Sequence, residues 1–147
     1  MFVGCPVLHD REPQGFHDPH AKGAFYGLNL THTRAHMYRA LLEGIAHGTA
    51  HVIETYREAG APPSRVLAVG GGTKNAIWMQ ATSDIAGLDQ EVCRRTTGAA
   101  YGDAFLARVA LGDATVDDIA GWNPVERRVV AKRRPEYARA YPLFRRL

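Results

Sequence analysis

The segment Val66–Gln80, VLAVGGGTKNAIWMQ, constrains the fold more than any other. A short apolar run, Val66-Leu67-Ala68-Val69, ends in three glycines, Gly70-Gly71-Gly72, and a helical pattern follows with Asn75 and Gln80 set into it. This spelling predicts strand, tight turn, helix. A turn without side chains lets backbone approach a flat or anionic ligand, and glycine accepts the positive φ that such turns need. The helix beyond it directs free N–H groups to the same place. The chemistry suits a nucleotide held by Gly70, Gly71, Gly72, Thr73 and Asn75. A plain glycine-rich strand–helix connection has the same spelling.

The remaining pattern predicts an α/β domain spanning residues 1–147, a length sufficient to bury a core. Residues 1–30, interrupted by Pro6, Pro13, Pro19 and several glycines, read as extended or loop. A helix capped by Thr31 or Thr33 runs to about Ala59. Met37, Leu41, Ile45, Val52 and Tyr56 fall on one face and are the expected buried stripe. Gly60 and Pro62-Pro63 end it. Gly44 and Gly48 inside it suggest close approach of another backbone, or plain tolerance. Then come a strand over 65–69, the glycine turn, a helix from about Asn75 to Ala86, and a short strand over 90–93. A small-residue helix from Gly98 to Leu111 follows, suited to lying close against a neighbour. A short helix over 116–120, a turn at Trp122-Asn123-Pro124, an extended stretch over 127–131 and a helix from Pro135 complete the order.

Composition removes several alternatives. Apolar residues make up 46 % and charged residues 22 %, ordinary for a soluble globular chain. No run approaches the ~18–20 apolar residues of a membrane span, and the N-terminus lacks the pattern of a secretory signal. Cys5 and Cys93 have no metal or redox spacing, which suggests reduced thiols in a cytoplasmic protein. Residues 124–147 carry eight Lys or Arg and two Glu. Such a tail can meet nucleic acid or phosphate, or pair with acidic neighbours, and Tyr137, Tyr141 and Phe144 at helical spacing argue that one face packs inward. The pairs His32/His36 and His47/His51 have i,i+4 spacing, but neither shows the Glu of HExxH and no third ligand is evident. Surface or helix-packing roles are the simpler reading. No GxSxG or GxxxxGK[ST] is present.

Several ordered motifs resemble the C-terminal lobe of the FGGY carbohydrate kinases, the xylulokinase-like sugar kinases of the actin-type ATPase (ribonuclease H-like) fold. His9-Asp10-Arg11-Glu12-Pro13 resembles that family's G-E-R-T-P, and Asp18-Pro19-His20-Ala21-Lys22-Gly23 its D-P-x-A-R-G. Gly27 to Ala46 resembles its long helix. Gly70-Gly71-Gly72 with Trp78, Gln80 and Asp84 resembles its G-G-G…W-x-Q…A-D-I block, and Gly98 to Ala104 its G-A-A-x-G-A-A helix. The resemblance implies a partial domain, a mixed sheet with packed helices whose opening strands are missing. It implies that Gly71 and Gly72 lie under the adenine of ATP, that Asn75 hydrogen-bonds its edge, that Gly98 and Gly102 seat their helix near the nucleotide, and that Arg11 and Glu43 are structural. His9 departs from the family's Gly. Asn75 departs from the Ser of many pentulose kinases toward the glycerol-kinase pattern.

The family's Asp-x-Gly-Thr phosphate loop, sugar site and catalytic Asp belong to its N-terminal lobe. The resemblance therefore implies ATP-dependent phosphorylation of a sugar or polyol hydroxyl, a pentulose such as xylulose first, by an enzyme of which this chain is the nucleotide lobe and alone inactive. Magnesium would be held mainly by the other lobe. Expected partners are ATP or ADP, a second copy or the missing lobe, because absent strands leave an open sheet edge and bare helix faces. A noncatalytic nucleotide- or protein-binding module of the same fold is the alternative.

Overall fold

The computed structural model describes the backbone of residues 2–4 and residues 23–146. The motifs at His9–Pro13 and Asp18–Lys22, with Cys5 and Arg11, lie outside the described residues. A two-stranded antiparallel ribbon joins β1 (Phe2–Gly4) to β2 (Ala24–Tyr26). The main sheet has the order β3 (Leu67–Ala68), β4 (Gln90–Cys93), β5 (Val125–Val129). β3 runs parallel to β4, with Leu67 opposite Glu91. β5 returns antiparallel, with Gln90 opposite Val129 and a register shift at Val92/Cys93.

Around it stand α1 (Arg34–Glu58), α2 (Ala76–Ala86), α3 (Ala99–Ala110), α4 (Ile119–Trp122) and α5 (Pro135–Phe144). α2 lies between α1 and the sheet. Toward the sheet, Met79 packs with Val92, Val129 and Ala68. Toward α1, Ala86 and Ile85 meet Ala50 and Ile53, with Leu88 and Tyr141 closing the cluster. A helix covered on two sides needs small or apolar residues around most of its circumference. α2 meets this with buried Ala81, Thr82, Ser83 and Ala86 besides Met79.

The polar atoms in this layer are paired, as burial requires. The Gln90 amide donates to the Met79 carbonyl at 2.8 Å and to Ser83 Oγ at 2.9 Å. Ser83 Oγ donates to the Val129 carbonyl at 3.2 Å. Asp84, its side chain 1 % exposed, accepts from Gln80 Nε2 at 2.6 Å, from the Lys132 amide at 2.8 Å and from Arg134 Nε at 3.0 Å. These bonds fix the passage from β5 to α5. Part of the excess positive charge of the C-terminal segment is answered in the same way within the chain: Arg128 pairs with Asp89, and Arg145 with Glu54.

Four expectations are corrected. The stripe Met37, Leu41, Ile45, Val52, Tyr56 is between 36 and 56 % exposed, and α1 instead buries Ala40, Leu42, Gly44, Ala46, His47, Ala50 and Ile53. Both faces of α1 are apolar enough to satisfy a period-3.6 pattern, and small residues on the inner face let α2 approach. The small residues of α3 also lie exposed. That helix is held through buried Phe105 and through Tyr101, both packed on Trp122, and not by close helix–sheet contact. An added Cβ at Gly48 or Gly102 meets open space, so neither glycine marks a close backbone approach among the described residues. The strands are shifted or short, β3 covering 67–68 and β5 covering 125–129.

The aromatic stripe of α5 does pack inward. Tyr137, Tyr141 and Phe144 surround His47 of α1, with ring centroids 6.4, 5.9 and 5.3 Å away. The imidazole is buried and neither nitrogen has a hydrogen-bond partner among the described residues. Burial holds it neutral, lowering its pKa to about 4 against the pull of Glu43. Glu43 is structural here, accepting from Arg39 Nε at 2.6 Å and from the Tyr137 hydroxyl at 3.0 Å. The other described helix histidines have partners: His36 Nδ1 accepts from the Thr33 amide at the start of α1, and His51 meets the Tyr141 hydroxyl of α5.

Candidate functional site

The glycine turn sits at the carboxyl end of β3, beside the carboxyl end of its parallel neighbour β4. Ligands of open α/β sheets bind in the crevice outside such strand ends. Each of the two strands leads into a helix, α2 after Asn75 and α3 after Gly98, so two helix N-termini follow the same sheet edge. The Gly70 amide donates to the Thr96 carbonyl at 2.7 Å, which ties the turn to the segment leaving β4.

The turn is built from the five residues expected of it. Gly70 has φ +85°, open to glycine and strained for any other residue. Gly71–Lys74 form one 3₁₀ turn. Thr73 is buried and its hydroxyl donates to the Gly70 carbonyl at 2.7 Å, closing the turn from beneath. Gly71 lies exposed on the outer side. Gly72 packs on the indole of Trp78: a Cβ there would come within 2.8 Å of Trp78 Cζ3, so the backbone can lie flat on the ring only as glycine.

Asn75 caps α2. Its Oδ1 accepts from the Trp78 amide at 3.1 Å, satisfying one of the free N–H groups at the helix start. Its Nδ2 donates to the Tyr38 hydroxyl at 2.8 Å. Gly70, Gly71, Gly72, Thr73 and Asn75 are thus contiguous, with bare backbone at the surface and a fixed carboxamide at one end.

Two contributors have no sequence signal. Tyr38 comes from α1, and Arg127 from β5, where its guanidinium donates to the Thr73 carbonyl at 2.5 Å and braces the turn from the sheet side. Only the surplus of arginine after Pro124 hinted that some must be spent inside the chain. Among the described residues no three His, Cys, Asp or Glu side chains converge to hold a metal ion. No helix of the described residues is long and apolar enough to cross a membrane.

Comparison with known proteins gives the family. Residues 11–111 match the model of the FGGY family of carbohydrate kinases, C-terminal domain. A xylulose kinase of Staphylococcus epidermidis is 33 % identical over 103 residues, covering 70 % of this chain and 20 % of that protein. Among solved structures, the xylulose kinase of Rhodospirillum rubrum superposes with a TM-score of 0.69 at 32 % identity, over 88 % of this chain and 26 % of that one. The glycerol kinase of Plasmodium falciparum, solved with ADP, gives 0.69 at 26 % identity, over 85 % of this chain and 26 % of that one. The chain spans about a fifth of the length of the curated relatives it matches. The mixed sheet with its packed helices is that of the actin-like ATPase-fold kinases, and the chain belongs to the FGGY family of carbohydrate kinases.

Proposed function

We propose that residues 1–147 are the nucleotide-binding part of a sugar or polyol kinase, with ATP as phosphoryl donor and a pentulose such as xylulose as the first acceptor to consider. The observation that carries this is the turn itself. Gly71 and Gly72 present backbone without side chains at the carboxyl end of β3, Trp78 supports them from below, Thr73 locks the turn, and Asn75 sets a carboxamide at its exit. A flat purine fits against bare backbone, and an amide carries both a donor and an acceptor for its edge. Pentulose kinases among the relatives favour a pentulose, although glycerol kinases match as well.

In this reading the chain binds the nucleotide and does not transfer the phosphoryl group alone. Transfer needs phosphate clamps, a metal and a base for the acceptor hydroxyl, and magnesium would take its ligands from the phosphates and from a second lobe. The outer apolar face of α1 supports the pairing. A helix apolar on both sides belongs between two layers, and the described residues cover only one side. The occupant of the other is the rest of a kinase or a second copy of the chain. A cytoplasmic setting agrees with the buried Cys93 thiol, which has no disulfide partner among the described residues.

Calorimetric titration with ATP and ADP tests the nucleotide site. The chain is expected to bind both, and Asn75→Ala to weaken binding about tenfold while also loosening the start of α2. Absence of binding at millimolar nucleotide, or equal binding by the variant, would overturn the assignment.

A further inference from the structure

Tyr38 lies 37 residues before Asn75 and on a different helix, yet its hydroxyl meets the Asn75 carboxamide at 2.8 Å. The orientation of that amide is decided chemically. The Trp78 backbone N–H can only donate, so the atom facing it at 3.1 Å is Oδ1. Nδ2 is therefore the atom turned toward Tyr38, whose oxygen accepts. A carboxamide has two N–H donors and two oxygen lone pairs. The cap uses one lone pair and Tyr38 uses one N–H. One donor and one acceptor remain on a group whose orientation these two bonds fix.

We propose that Tyr38 is a positioning residue for base recognition, locking Asn75 so that it offers this donor–acceptor pair to adenine and mismatches guanine. The inference rests on the nucleotide reading given above and adds selectivity to it. Adenine presents an amino donor beside a ring-nitrogen acceptor, the complement of the free donor and acceptor of Asn75. Guanine presents two acceptors, O6 and N7, on the corresponding edge, so its O6 would face Asn75 Oδ1 with no proton between them. Without the Tyr38 hydroxyl, Nδ2 loses its anchor and the amide can turn away from its cap, at which point guanine becomes acceptable. Tyr38 is half exposed on α1, so removing its hydroxyl leaves the buried layers untouched.

The test is calorimetric titration of the purified chain with ATP and with GTP, for the parent, Tyr38→Phe and Asn75→Ala, with thermal melts of each. The parent is expected to prefer ATP by about tenfold or more. Tyr38→Phe should lower that ATP-to-GTP ratio severalfold with an unchanged melting temperature, a change that a merely structural tyrosine would not produce. If Asn75→Ala abolishes the preference and Tyr38→Phe leaves it intact, the role of Tyr38 is overturned and the nucleotide site stands. If the parent binds no ATP at millimolar concentration, or Asn75→Ala binds as the parent does, the nucleotide reading itself falls and this inference with it.

Discussion

The two faces of α1 are similar in sequence and opposite in fate. The inner face, with Leu42, Ala46, Ala50 and Ile53, is closed by α2 and α5, whereas the outer one, with Met37, Leu41, Ile45, Val52 and Tyr56, is open. Hydrophobic periodicity finds apolar stripes; it does not tell which stripe already has a partner within the chain. Here the larger side chains are on the open face and the smaller ones on the closed face. Close helix packing selects small residues, and a stripe of about 28 Å of larger ones suits a looser, later interface. The difference teaches that α1 carries apolar surface beyond what the described residues bury.

Charge substitution should break the comparison most sharply. Ala46→Asp buries a carboxylate at a position with no exposure and is expected to remove more than about 4 kcal/mol or prevent folding. Ile45→Asp, one residue away on the outer face and 37 % exposed, should fold with a loss of about 1–2 kcal/mol. Urea unfolding followed by circular dichroism distinguishes them; equal losses would mean that the outer face is also packed.

The next effect is acid sensitivity at the inner face. Unfolded, His47 takes its proton near pH 6.5; folded, burial among Tyr137, Tyr141 and Phe144 delays this to about 4. Above pH 6.5 the residue contributes no pH dependence. As pH falls from 6.5 to 4 only the unfolded chain gains the proton, so stability declines by on the order of 2–3 kcal/mol and levels off below. His47→Phe keeps the ring contacts, removes two buried nitrogens that have no partner, and should erase this portion of the decline. Stability curves of parent and variant that stay parallel from pH 7 to 4 would refute the assignment.

The smallest effect on stability belongs to the outer stripe. Leu41→Lys with Val52→Lys should shift unfolding by less than about 0.5 kcal/mol yet reduce self-association seen by light scattering at high concentration. Association of the double variant equal to that of the parent would place the contact elsewhere.

Element order was largely legible in the sequence because its punctuation is local. Gly87 ends α2 in the left-handed conformation, Thr33 starts α1 and Pro135 starts α5, each through a backbone effect readable at one position. The glycine turn was legible for the same reason. Tyr38 and Arg127 were not, since their contacts join positions 37 and 54 residues apart, and no local pattern encodes which helix face or strand end will meet the turn. The burial of α1 failed at the same link: two faces satisfied the period, and tertiary packing chose between them.

The closure of α5 onto α1 also sets an order of events during synthesis. Tyr137 bonds Arg39 across 98 positions and Tyr141 meets His51 across 90. A ribosome adding 5–20 residues per second leaves roughly 5–20 s between the emergence of these partners. Throughout that interval α1 is already helical in pattern and, along its His47 edge, still wet. α5 is therefore the helix that dries α1, and a nascent chain halted before Pro135 would display apolar surface on both sides of α1.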